Sequence, residues 1–225
     1  SRRRRAFLKH TKARMEYGKM NYQKQLEKIL EHIKTAHKKP KLLLHACCAP
    51  CSSYVIEYLS AYFDITILYY NPNIYPQEEY ERRLLELQNF LLEFPPAVQN
   101  SVHLAVQEYN PQDFYAAIRI NESPEMAQEK EKGERCRRCY AFRLRRAYEY
   151  AYLNNFEWFT TTLSISPFKD AEKINTLGKQ IEENPGPIFL TSDFKKLGGF
   201  KRSLELSAEY GLYRQQYCGC VYSKN

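Results

Sequence analysis

The hydrophobic positions alternate between two kinds of pattern along the chain. From Tyr22 onward, Leu26, Ile29, Leu30, Ile33 and Ala36 recur at helical spacing, which predicts one amphipathic helix followed by Pro40. The short apolar run Lys41–Ala46 (KLLLHA) predicts a buried strand, and Tyr54–Tyr62 predicts a helix starting near Ser52 or Ser53. Ile65–Tyr70 reads as a second strand that ends in the turn Asn71-Pro72-Asn73. Tyr80, Leu84, Leu87 and Leu91 share one face of a long helix over Gln77–Phe94, which Pro95-Pro96 stops. A strand at Val102–Val106, a short helix at Pro111–Ile120 and a polar loop at Asn121–Lys132 follow. Cys136 lies near the start of a helix that runs to Leu153. Then come a strand at Glu157–Thr162, a helix over Lys169–Glu183 and a fifth strand at Pro187–Thr191. A last helix near Phe200–Tyr210 leads into the tail LYRQQYCGCVYSKN.

Strand and helix alternate almost throughout. The pattern predicts an α/β fold, a mostly parallel, Rossmann-like sheet of about five strands with helices on both faces. Ligands in such sheets sit at the carboxyl ends of the strands, near a topological switch point. The segment CCAPC follows the first strand directly, so a metal site is expected at the carboxyl ends of the strands. No GxGxxG or GxxxxGK[ST] loop stands there, which excludes a dinucleotide fingerprint and a phosphate-cradling loop of those types.

Composition adds limits. With 44% hydrophobic and 27% charged residues, the chain can bury a core and keep a solvated surface. No apolar run approaches the ~20 residues of a membrane-spanning helix. No apolar stretch follows the amino-terminal arginines, which argues against a secretory signal. The net charge of +8 is unevenly placed: residues 1–40 hold thirteen Lys and Arg against three acids, and the remainder twenty-one against twenty-three. A basic arm over 1–20 is thus expected ahead of a single catalytic domain over 21–225. Inside that domain, Lys130 to Arg146 carries eight basic residues and two acids. Both stretches can attract phosphate, although a solvated helix face has the same composition.

The seven cysteines fall into groups: Cys47, Cys48 and Cys51, then Cys136 and Cys139, then Cys218 and Cys220. An odd number in tight groups argues for metal or redox chemistry, not a disulfide framework. Thiolate-rich sites favour zinc or iron–sulfur clusters. The simplest four-thiol site combines Cys47 and Cys48 with Cys136-x-x-Cys139, whose helix start stabilises negative charge. Adjacent cysteines diverge in an extended chain and suit different irons of a cubane better than one zinc. Cys218-Gly219-Cys220 could close a strained, easily reduced disulfide and relay two electrons, or could ligate a second metal together with Cys51.

The stretches HACCAPCSSYVIEYL, ITILYYNPNIYPQEEYERR, GERCRRCYAFRL, FTTTLSISPFKD and GLYRQQYCGCVYS occur in that order. Together, over Asn21 to Ser223, they resemble the QueH-type epoxyqueuosine reductases. The resemblance implies a cytoplasmic oxidoreductase that reduces epoxyqueuosine to queuosine at the tRNA wobble position, the last step of that modification. It implies a [4Fe–4S] cluster held by Cys47, Cys48, Cys136 and Cys139, and a redox-active pair in Cys218 and Cys220. It assigns no role to Cys51, which leaves a second iron or other metal ion open. The implied partners are tRNA carrying epoxyqueuosine and an external electron donor, with no membrane. Arg135, Arg137, Arg138 and Arg145 flank or follow the CxxC and are expected to meet RNA phosphates. The reaction also needs a proton donor. His45, Asp170, Tyr69 and Tyr70 are candidates, each with an ordinary structural alternative: a satisfied core histidine, a helix cap and core tyrosines. Two rival classes remain, a zinc-stabilised RNA-binding protein and a cluster-dependent tRNA-modifying enzyme of another type, such as one that inserts sulfur (thiolation). Against the latter, no SGGxDS-like ATP loop is present.

Overall fold

The computed structural model describes residues 21–224. The basic arm over 1–20 lies outside the described residues. In chain order the elements are α1 (Tyr22–Thr35), β1 (Lys41–Ala46), α2 (Ala49–Leu59), β2 (Asp64–Tyr69), α3 (Gln77–Glu93), α4 (Pro95–Gln99) and β3 (His103–Val106). They continue with α5 (Pro111–Ile118), α6 (Glu134–Leu153), β4 (Trp158–Thr161), α7 (Ala171–Ile181), β5 (Ile188–Phe189) and α8 (Gly199–Glu209). All five strands are parallel, in the order β3-β2-β1-β4-β5.

β1 is buried from Leu42 to Ala46 because both of its faces are covered, which is why it reads as a continuous apolar run. Leu42 and Leu44 pack with Leu26 and Leu30 of α1, Val55 and Ile56 of α2, and Phe90 of α3. Leu43 points the other way, into a layer formed by Leu144 and Ala147 of α6, Leu177 of α7, and Phe159 and Phe189. The direction of winding reverses between β1 and β4, so the crevice at their carboxyl ends is the switch point, and Cys47 opens from its floor.

The boundaries differ from the sequence pattern where proline and serine chemistry intervenes. α2 begins at Ala49, ahead of Ser52 and Ser53, because Pro50 fits the first helical turn, where its missing N–H leaves no bond unmade. The two serine hydroxyls donate back to the carbonyls of Cys48 (2.7 Å) and Pro50 (3.1 Å) instead of capping. Cys51 is thereby drawn into the first turn. Pro95 and Pro96 end α3 but also open α4, with Phe94 extended between the two helices. The polar loop contains a 3₁₀ turn at Pro124–Gln128, and β5 shrinks to two residues.

β5 is held by close packing. Gly178 of α7 lies against the Phe189 ring, where a methyl group would overlap ring carbons. Gly178→Ala should therefore cost about 1–3 kcal/mol. A denaturant midpoint equal to wild type in metal-free protein would show that α7 can shift without loss.

Candidate metal centre

Thiols from three chain segments gather around the switch point. The Cys47, Cys48 and Cys51 sulfurs lie within 4.8 Å of one another, with 3.7 Å between Cys47 and Cys48. Cys48 caps α2, so the trio sits at the positive end of that helix. Hydrogen bonds from Cys48 and then Cys51 hold the Cys47 thiol well below its ordinary range. The same contact with Cys47 pushes Cys48 up to about 12 and raises Cys51. Cys47 is therefore the most acidic thiol of the trio. Gln215 Nε2 donates to Cys48 Sγ at 3.2 Å.

A second group forms across the crevice. Cys139 and Cys220 are buried with Phe114 and Ile118, and Cys218 packs against them. Cys136 is half-buried and packs against the apolar layer beneath α6. Cys47, Cys51 and Cys218 line one cavity of about 700 Å³. The structure thus joins Cys47 and Cys48 to Cys51, and Cys139 to the Cys218 pair. The first of these groups is already contiguous in the sequence, whereas the second joins residues far apart in the chain.

Cys218 and Cys220 are free thiols with different surroundings. Lys169 Nζ donates to Cys218 Sγ at 2.7 Å. Burial pushes the Cys218 thiol up, but the Lys169 and Arg143 charges outweigh it and the net direction is down. Burial, then the Cys218 charge, lifts Cys220 to about 12. Gly219 is required between them: its φ is +102°, and a Cβ would come 3.0 Å from Arg83 Nη1 and from Ile74 Cγ1. Its carbonyl accepts from Tyr75 N at 2.8 Å, which ties the tail to the loop after β2.

The expected helix-start stabilisation of Cys136 and Cys139 is corrected. Glu129 already caps α6, its carboxylate accepting from the N–H groups of Glu134 (2.6 Å) and Arg135 (2.7 Å). Positive charge for the thiols comes instead from side chains. Among the described residues, the buried basic groups are Arg83, Arg135, Arg143 and Lys169. Arg83 pairs with Glu79 at 2.6 Å and donates to the Cys218 carbonyl at 3.4 Å. Arg143, one helical turn past Cys139, lines the cavity and donates to Asn71 Oδ1 at 3.1 Å.

The arginines expected to hold RNA diverge. Arg135 is corrected: it is buried, and its guanidinium donates inward to the carbonyls of Met126 and Ala127. Arg137 forms a bidentate pair with Glu134 (2.6 and 2.7 Å), and Arg138 shares Glu134 and donates to the Ile118 carbonyl at 2.9 Å. Arg145 reaches Glu183 at 3.1 Å. The i,i+3 and i,i+4 carboxylate at Glu134 was the signal in the sequence for this pairing.

The proton-donor candidates take their ordinary roles. Asp170 caps α7 by accepting from Lys173 N at 3.1 Å. Tyr69 donates to the Tyr80 carbonyl (2.9 Å) and Tyr70 to Asp113 (3.1 Å). His45 is fully buried, with Nε2 3.1 Å from the Tyr70 carbonyl and Nδ1 2.9 Å from Thr161 Oγ1. A carbonyl only accepts, so Nε2 carries the proton and Nδ1 accepts from the hydroxyl. Lys169, which the sequence reading missed, lines the cavity instead. Its signal was its place in SISPFKD, on the loop after the fourth strand.

The family model for QueH, epoxyqueuosine reductase, matches residues 42–225. The chain belongs to this family. It is 38% identical over 206 residues to the epoxyqueuosine reductase QueH of Streptococcus pyogenes serotype M1, covering 91% of this chain and 78% of that protein. The Staphylococcus epidermidis QueH is 38% identical over 94% of this chain and 87% of its own length. The Thermotoga maritima QueH is 35% identical over 81% of this chain and 89% of its own. No helix among the described residues is long and apolar enough to cross a membrane, and none of the cavity residues of this QueH member belongs to a glycine-rich phosphate loop.

Burial, then the Arg143 charge, lowers the His45 pKa from 6.5 to about 3. The unfolded chain thus binds a proton that the folded chain refuses. The stability this represents is complete above pH 6.5 and is lost as pH falls toward 3, with a slope of up to about 1.4 kcal/mol per pH unit. In metal-free His45→Gln that share of the slope should vanish. Urea titrations between pH 6.5 and 4 giving the same slope in both proteins would refute a neutral His45.

Proposed function

We propose that this protein is an epoxyqueuosine reductase acting on tRNA at a thiolate-bound iron–sulfur centre. The observation that carries the reading is the gathering of Cys47, Cys51 and Cys218 on one cavity wall, beside the buried cations Lys169 and Arg143. Buried positive charge facing thiols calls for an anionic group, and a thiolate-bound cluster supplies one. The family membership supports the reaction class. Cys47, Cys48, Cys136 and Cys139 are the proposed cluster thiolates, with Cys51, Cys218 and Cys220 as a second set, either redox pair or metal ligands.

Converting the epoxide to an alkene takes two electrons and two protons and releases water. The cluster, when bound, passes electrons from an external donor. The chain's own residues do the rest. The switch-point cavity takes the modified base out of the RNA stack, as base chemistry on nucleic acid requires. Lys169 Nζ holds protons at the cavity wall, within 2.7 Å of Cys218. Arg137 and Arg145, whose side chains are 43% exposed, can exchange Glu134 and Glu183 for RNA phosphates, since surface ion pairs are weak.

Anaerobically purified protein should contain iron and sulfide and should convert epoxyqueuosine-tRNA to queuosine-tRNA, read by nucleoside mass spectrometry. Cys47→Ala and Cys139→Ala should lose bound sulfide together with activity. Cys218→Ala should keep the visible absorption and lose turnover by at least about a hundredfold, the scale of one essential reacting group. Stoichiometric zinc without sulfide would favour the zinc-stabilised RNA-binding alternative.

A further inference from the structure

Arg143 is 1% exposed, yet no carboxylate answers it among the described residues. Its Nη1 donates to Asn71 Oδ1 at 3.1 Å, while Nε and Nη2 have no hydrogen-bond partner among the described residues. Asn71 is itself 1% exposed and is fixed by donating from Nδ2 to the Ala46 carbonyl at 2.8 Å. The anchor is therefore rigid and neutral, and it orients the guanidinium without compensating its charge. The other buried cations differ: Arg83 is paired with Glu79, Lys169 with Cys218, and Arg135 turns its guanidinium onto the Met126 and Ala127 carbonyls. Arg143 lines the cavity with Cys47 and Cys218 and follows Cys139 by one helical turn, so it neighbours thiols of both groups.

We infer that Arg143 is a positioning residue for charge: a fixed, uncompensated cation that sets the reduction potential of the thiolate-bound iron–sulfur centre. This rests on the iron–sulfur reading given above. A centre becomes more negative when it takes up an electron. A nearby positive charge, weakly screened at this depth, stabilises the reduced state more than the oxidised one. The guanidinium cannot lose its proton, so this bias persists across the working pH range. An asparagine anchor preserves the bias, whereas an acidic anchor at the same place would cancel it.

The test is an anaerobic redox titration of the loaded protein, followed by electron paramagnetic resonance, after iron and sulfide have been counted. Arg143→Gln should make the centre harder to reduce, lowering the reduced-to-oxidised ratio at a fixed potential by about tenfold or more, or about 59 mV for a one-electron couple. Arg143→Lys, which keeps the charge, should retain most of the wild-type potential. Asn71→Asp sets a carboxylate against the intact guanidinium and should also shift the potential negative, which gives a reading if Arg143→Gln does not load. An unchanged potential in fully loaded Arg143→Gln, or equal shifts in the Lys and Gln variants, overturns the inference. Wild-type protein without sulfide would instead overturn the iron–sulfur reading, and this inference with it.

Discussion

Two buried side chains tie the ends of three neighbouring strands together, and the site depends on those ties. His45, near the end of β1, bonds Thr161 on β4 and the Tyr70 carbonyl just after β2. Asn71 bonds the last carbonyl of β1 and holds Arg143 of α6. Parallel strands leave their carboxyl ends without the hairpin turns that would fix antiparallel neighbours. Here buried polar side chains at the strand ends do that work, where each satisfied bond is stiff and each broken one costly. The crevice is therefore held open at a fixed width, and the cysteines that follow β1 enter it from a rigid base.

Charge is arranged around that crevice in an asymmetric way. The Cys47 trio gains stabilisation from the start of α2, because the serines that could have capped that helix are turned back onto carbonyls. The start of α6 offers no such help, since Glu129 already occupies it. Cys139 and Cys218 rely instead on Lys169 and Arg143, brought from the loop after β4 and the third turn of α6, and Cys220 on Arg135. Hydrogen bonds from Cys48 and Cys51 lower Cys47, the Lys169 and Arg143 charges lower Cys218 against its burial, and burial leaves Cys220 raised. Gly219 makes the last arrangement possible by letting the tail pass over Arg83.

The alternation of strands and helices was legible because β1 is apolar throughout while α1 and α3 carry apolar stripes, and those periods differ. Boundaries failed where a residue has two uses. Pro50 can end one element or begin the next, and Ser52 can cap or bond backward. The arginines were harder still. Arg135, Arg137 and Arg143 look alike in a list of charges, but α6 turns Arg135 and Arg143 into the protein and leaves Arg137 at the surface.

By itself the sequence determined the α/β class, the placement of CCAPC after a central strand, and which cysteines occur as neighbours. These follow from local periodicity and from spacing. The strand order, the joining of Cys139 to a tail some eighty residues away, and the isolation of Arg143 from any acid among the described residues were decided only in three dimensions. Helical periodicity says which residues share a face but not what lies opposite that face. The charge state of a buried thiol or guanidinium depends on what does.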